Sequence, residues 1–261
     1  MALPGPDGQP SRILRDGDTV LRPAGPWTPA VHALLRHLER AGFAGAPRVV
    51  GDGYDDQGRE VLTFVEGTFV HPCTWSDEGI WHAGRLLREL HDVTAGFRPP
   101  PGAAWCPWPF RAPLGAAGTV ISHCDAGPWN LASRDGLPVA FIDWDSAGPT
   151  GRLDEVAAAG WWNAQLHDDD VAERNGLPPA PARAAQLRHF LDGYRLPADD
   201  RAGLVTVMIE YAIRDCAAEA AKAGVTPESA DPAPLWALAW RSRSAAWMIR
   251  HRRLLEGAIT G

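Results

Sequence analysis

One stretch, residues 121–145 (ISHCDAGPWNLASRDGLPVAFIDWD), constrains this chain more than any other. Two short apolar runs, 119–122 and 138–142, each lead into a polar cluster. The first cluster holds His123, Asp125 and Asn130; the second holds Asp143 and Asp145. Between them Arg134-Asp135-Gly136 has the composition of a hairpin turn. Apolar runs this short, bounded by turn residues, read as strands. Polar residues leaving the ends of adjacent strands converge in space. Three carboxylates and an amide brought together there form a hard oxygen set of the kind that suits Mg²⁺. A scatter of turn-forming and helix-capping Asp and Asn would not show this ordered spacing.

The rest of the chain frames that cluster. Residues 12–14 and 19–22 read as a hairpin around Asp16-Gly17. Thr28-Pro29 reads as the cap of a helix whose Val31, Leu34, Leu35 and Leu38 follow helical spacing, with Gly42 ending it. Two β-rich runs follow, 47–50 and 60–65, separated by a turn-forming stretch from Gly51 to Gly58. The first 65 residues thus read β-β-α-β-β, a small sheet with one helix, and Glu66-Gly67 reads as a joint. Residues 77–93 form an amphipathic helix, and 98–113, rich in Pro and Trp, an ordered loop. From Arg152 onward the chain reads as helical, with breaks at 177–181 and near Pro232. Trp236, Trp240 and Trp247 in the last long helix read as a core stripe.

Composition narrows the function classes. The 261-residue chain carries a net charge of -7, which argues against a nucleic-acid binder with its basic surface. The charge is uneven: 143–231 hold 8 basic and 16 acidic residues, and the tail after them holds 5 Arg and 1 Glu. No run reaches the roughly 18 apolar residues of a membrane helix, and residues 1–11 lack the basic flank and apolar core of a signal peptide. The expectation is a soluble cytoplasmic protein without nucleic-acid or membrane partners. Cys73, Cys106, Cys124 and Cys216 show no paired spacing and read as reduced thiols, not a zinc site or a disulfide framework. The single lysine, Lys222, excludes any mechanism that needs a lysine earlier in the chain.

His123-x-Asp125-x4-Asn130 followed by Ile142-Asp143-Trp144-Asp145 resembles the motif of aminoglycoside phosphotransferases and related choline-kinase-like enzymes. The order of lobe, joint and helical remainder extends the resemblance over nearly the whole chain. It implies an α+β, two-lobed protein-kinase-like fold: a nucleotide-binding lobe over 1–66, and a catalytic and acceptor-binding lobe over 67–261. It further implies a phosphotransferase moving the γ-phosphoryl of ATP or GTP, with Mg²⁺, to a hydroxyl of a small acceptor. An aminoglycoside-like or other antibiotic leads among acceptors.

By the same resemblance Asp125 is the base that accepts the acceptor's proton, and His123 orients its loop. Asn130 and Asp143 hold the metal, while Asp145 stands beside it or ligates directly. Asp154 caps a helix or braces the catalytic loop. Phe64, Val65 and Glu66 at the joint receive the nucleotide base. Trp161, Trp162 and the run His167 to Asp170, Asp168 above all, are candidate acceptor contacts together with Asp145.

Departures from the motif matter as much. The family carries a lysine on the third strand of the small lobe, paired with a helix glutamate. Here Arg22 stands near the lysine's place and Val31 at the glutamate's, so both partners are replaced. Arginine can still grip phosphate, bidentately; His32 or Glu39 could serve as its orienter. The segment from Pro4 to Pro10 offers Gly5 and Gly8 but no evident phosphate-covering loop or full first strand. Cys124 replaces a glycine, a small-for-small exchange expected to matter little. The lost lysine leaves open a non-catalytic binding or immunity protein on the same scaffold. A metabolic kinase for an amino alcohol or sugar also stays open.

Overall fold

A computed structural model describes residues 2–4 and 10–261, with side chains from Ile13 onward. Strand β1 (Ala2–Pro4) pairs with β2 (Pro10–Asp16), which turns tightly into β3 (Thr19–Arg22). Helix α1 (Thr28–Arg40) then crosses to β4 (Val49–Tyr54) and β5 (Glu60–Thr63). All neighbours are antiparallel, in the order β1-β2-β3-β5-β4. The sheet therefore has one strand more than the β-β-α-β-β expectation, and Gly5 and Gly8 lie outside the described residues. Strand β4 also runs on through Gly51 and Gly53 to Tyr54, with a register shift where the sequence suggests a turn.

Helix α1 buries Val31, Leu34, Leu35 and Leu38 as their spacing demands. It ends in a Schellman arrangement: Phe43 N–H reaches Leu38 O at 2.9 Å and Gly42, at φ 77°, reaches Glu39 O at 3.0 Å. Thr28 does not cap it. The hydroxyl instead accepts from Gly25 N–H at 2.9 Å and braces the turn before the helix.

The larger lobe opens with α2 (Asp77–Thr94), capped by Ser76, whose Oγ accepts from Gly79 N–H at 3.0 Å. The expected 98–113 loop follows. Then come β6 (Thr119–Ser122), β7 (Leu131–Arg134), β8 (Leu137–Phe141), a single 3-10 turn at Trp144–Ser146 and β9 (Gly148–Gly151). Here pairing differs from expectation. The strand before the first polar cluster pairs with β9, and the strand before the second pairs with β7. What joins the two clusters is local: Ile142 N–H donates to Asn130 O at 2.9 Å, and His123 Nε2–H donates to Ile142 O at 2.8 Å.

Seven helices complete the lobe: α3 (Arg152–Asn163), α4 (Asp169–Arg174), α5 (Ala180–Tyr194), α6 (Ala198–Arg201), α7 (Leu204–Lys222), α8 (Pro232–Arg250) and α9 (Arg252–Thr260). One apolar core runs from Leu34, Leu35 and Leu38 through Ile80 and Leu87 to Trp161, Phe190 and Trp247. Among the described residues no helix is long and apolar enough to cross a membrane, and all four cysteines are free thiols.

Two glycines set how closely α2 and α5 pack. A Cβ on Gly84 would lie 2.0 Å from Phe190 O, and one on Gly193 would lie 1.9 Å from Trp81 O. The contact is reciprocal and backbone to backbone, so neither helix can take a side chain without moving off the other. Gly84→Ala should destabilise the fold by ~3 kcal/mol and lower Tm by roughly 6–12 °C in a chain of this size. Thermal unfolding monitored by circular dichroism checks this; an unchanged Tm would show that the helices separate freely.

Candidate active site

The loop after β6 is held by a buried polar chain that begins far from it. Tyr194 on α5 meets His91 Nδ1 at 2.7 Å, and His91 Nε2 meets Ser122 Oγ at 2.9 Å. Ser122 donates to Glu155 Oε1 at 3.1 Å, so His91 Nε2–H donates to Ser122 and Nδ1 accepts from the tyrosine. The same Glu155 oxygen accepts from Cys124 N–H at 3.0 Å. Burial holds His91 down to about 3, hence neutral, and pushes Glu155 up to about 7. Glu155 thus braces the loop. Its neighbour Asp154 faces Arg214 at 4.0 Å instead.

Cys124 is the loop's strained point. Its φ of 64° is a glycine conformation adopted by a residue with a Cβ, so the Gly-to-Cys exchange is not free. The buried thiol sits 3.4 Å from Arg111 Nη1 and 3.5 Å from Gly148 O. Burial raises its pKa well above the ordinary thiol value, which makes it inert.

Beyond the cysteine, His123 is fully buried; Nε2–H donates to Ile142 O, and Nδ1 accepts from Asp125 N–H at 3.3 Å. Burial lowers it to about 4, so it stays neutral. The Asp125 carboxylate is held on both oxygens: Trp129 Nε1–H donates to Oδ1 at 3.2 Å and Asn130 Nδ2–H to Oδ2 at 2.8 Å. Burial and the nearby Asp143 push Asp125 up to about 7.

Asp143 adopts the left-handed conformation, φ 59° and ψ 68°, just before the 3-10 turn. Its Oδ1 lies 2.8 Å from Arg22 Nη2, and the same guanidinium nitrogen bonds Asp145. Asp145 also accepts from Trp27 Nε1–H at 3.0 Å. The guanidinium Nε lies 3.2 Å from Glu60 Oε2, and His32 Nε2 lies 2.9 Å from Glu60 Oε1. Burial alone would lower the Arg22 pKa, but Asp143, Asp145 and Glu60 together raise it. The ion pair expected to be absent is therefore rebuilt. The carboxylate comes from β5, directly opposite Arg22 in the register, and α1 contributes His32 behind it. Glu39 takes no part; it lies 4.0 Å from Arg48.

The donor set can be tested for a hard cation. Asn130 spends its amide nitrogen on Asp125, leaving its oxygen, and no described hydrogen bond reaches Asp143 Oδ2. One amide oxygen and one carboxylate oxygen suit a cation that takes its other ligands from phosphate and water. Among the described residues no three His, Cys, Asp or Glu cluster as a metal cage.

The remaining candidates separate. At the joint, Arg15 Cζ lies 3.7 Å from the Phe64 ring centroid and Arg15 Nη2 lies 3.4 Å from Glu66 Oε1; Val65 is the residue between them in sequence. Thr68 then stitches the chain to Ser133 by paired backbone hydrogen bonds of 2.9 and 2.8 Å. Trp161 is core, tilted against Trp162 and Trp240. Asp168 caps α4 and binds Arg243 and Arg250 in an ion-pair network tying α4 to α8, and it does not line the cavity beside Asp125. Trp162 does line a cavity of about 940 Å³, and Asp125 is the only motif residue on its wall. Trp108, Trp129, Trp236 and Trp240 share that wall. Trp236, 42% exposed, leaves the expected core stripe for the cavity wall, while Trp240 is partly buried between that wall and Trp161 and Trp247 is fully buried.

Glu155 yields a pH prediction. Its raised pKa means the folded chain keeps a proton the unfolded chain has released, so stability falls as pH rises from about 4.5 to about 7. Glu155→Gln cannot ionise and should gain on wild type by a few kcal/mol across that window. Urea unfolding at several pH values reads the difference; parallel curves would show the carboxylate is not buried as described.

No protein-family model matches the sequence. The trifolitoxin immunity protein of Rhizobium leguminosarum bv. trifolii is 52% identical over 252 residues, 97% of this chain and 96% of that protein. Among solved structures, an aminopropanol kinase associated with a microcompartment aligns with TM-score 0.62 at 16% identity, covering 95% of this chain and 90% of that one. An amicoumacin kinase, in complex with AMP-PNP, Ca²⁺ and Ami, aligns with TM-score 0.61 at 14% identity, covering 91% and 89%. The fold is thus the two-lobed kinase-like one of the aminoglycoside phosphotransferases and choline-kinase-like proteins, and the chain belongs to the family of the trifolitoxin immunity protein.

Proposed function

We propose that this protein is a small-molecule phosphotransferase that protects a cell by moving the γ-phosphoryl of ATP or GTP onto a hydroxyl of a toxic compound. The observation that carries the proposal is Asp125. Its carboxylate lies on the wall of the cavity, is fixed by Trp129 and Asn130, and has a pKa near neutrality. The protective role rests on the likeness to an immunity protein.

In this reading the acceptor hydroxyl lies against Asp125. As its oxygen forms a bond to the γ-phosphorus, its proton passes to the carboxylate and the bond to the β-phosphate oxygen breaks, releasing the nucleoside diphosphate. Trp129 and Asn130 hold the base in one orientation throughout, which supplies much of what phosphoryl transfer asks of a protein. In the same reading Arg22, held by Glu60, would grip the phosphates. Asn130 and Asp143 would hold Mg²⁺, which neutralises phosphate charge when bound.

A second reading has its own observation. Arg22 already neutralises Asp143 and Asp145, as a resident cation would, and this suits an immunity protein that binds its toxin without transfer.

Two measurements separate the readings. Asp125→Asn should lower kcat by about 10²–10⁴ while Tm and nucleotide binding hold; turnover near wild type would remove Asp125 as the base. In thermal shift, MgATP or MgGTP at 100 times Kd should stabilise the wild type by about 2.7 kcal/mol, an effect Asp143→Ala abolishes. No shift with either nucleotide would favour the binding protein.

A further inference from the structure

The cavity beside Asp125 is neutral and aromatic, and both properties bear on what it accepts. Its wall carries three carboxylates, Asp125, Asp215 and Glu219, and three cations, Arg174, Lys222 and Arg241. The two signs balance in number, and Arg241 is paired within the wall. Arg241 Nε donates to Asp215 Oδ2 at 2.6 Å and its Nη2 lies 4.0 Å from Glu219. His71 and His167 on the same wall are both depressed by burial, His167 to about 4, and add no charge at neutral pH.

The indole faces that would attract an ammonium group are taken as well. The Arg241 guanidinium lies over Trp240, 4.6 Å from the ring centroid, and Arg174 lies 5.8 Å from that of Trp236. A ligand ammonium would therefore have to displace a resident cation from each ring and compete with Arg241 for Asp215. Trp129 and Trp162 carry no such cation. Their ring centroids stand 5.4 Å apart at 55°, and Trp129 donates to Asp125 Oδ1. A flat ring against Trp129 would therefore carry a substituent toward that carboxylate.

We propose that the cavity takes a flat, ring-bearing acceptor of little or no net charge, with its hydroxyl toward Asp125, and excludes polycationic amino sugars. The proposal rests on the phosphotransferase reading for the meaning of "acceptor" but concerns binding alone. It also departs from the aminoglycoside-like acceptor that the sequence motif suggests.

The test uses the full chain without nucleotide, with 7-hydroxycoumarin as the flat uncharged probe and kanamycin as the polycation. Coumarin fluorescence anisotropy should saturate below ~1 mM, and Trp129→Leu and Trp162→Leu should weaken it about tenfold or more. Kanamycin should not compete. A double variant, Arg174→Gln with Lys222→Gln, leaves the wall net negative and should gain kanamycin binding while keeping its Tm. The proposal is overturned if kanamycin displaces the coumarin from wild type, if the coumarin does not bind, or if folded tryptophan variants bind it unchanged. The two readings fail separately: bound coumarin without phosphoryl transfer to any acceptor removes the kinase reading alone, and transfer to kanamycin removes this proposal alone.

Discussion

A buried arginine surrounded by carboxylates organises this molecule. Arg22 is 8% exposed, and a guanidinium so placed is tolerable only if its charge is matched and its donors are filled. Glu60 matches it from the neighbouring strand, and Asp143 and Asp145 match it from the other lobe. The pairing fixes the small sheet against the loop that follows β8. It also explains why His32 is buried behind Glu60: the carboxylate's second oxygen needs a partner, and α1 supplies one. Arg22 and Glu60 are the buried members and Asp143 and Asp145 stand half-exposed at the rim, so removing Glu60 or Arg22 leaves a buried charge mismatched.

The loop after β6 obeys the same logic with largely neutral groups. Burial suppresses the charge on His91 and His123, and each imidazole then donates on one side and accepts on the other. Glu155 gathers the Ser122 hydroxyl and the Cys124 amide, which pins a left-handed residue where glycine would be relaxed. Rigid support beneath a single well-held carboxylate is what a positioning enzyme requires. The same support would also serve a binding pocket.

Much of this was legible in the sequence because the signals were local. Helical spacing with its end signals located α1 and α2, the Asp16-Gly17 turn located the β2–β3 hairpin, and ordered polar residues after apolar runs located the Asp125 and Asp143 loops. What escaped was long-range. Glu60 opens a strand that reads as apolar, and only its register opposite Arg22 makes it an ion-pair partner. β6 and β8 read as neighbours because they are consecutive runs of similar character, yet β7 and β9, short and weakly apolar, take the pairing. The acidic run at Asp168 resembled a binding surface, but its cations sit on α8, some 75 residues onward. Trp236, Trp240 and Trp247 share helical spacing, and nothing in that spacing tells a core from a cavity wall.

The glycine contact between α2 and α5 reaches further than packing. Tyr194 and His91 stand on those two helices, and their hydrogen bond is the first link of the chain that ends at the Cys124 amide. The spacing set by two absent side chains is therefore a length standard for the Asp125 loop. Substitutions that thicken this crossing would shift Asp125 relative to Arg22 without touching either residue.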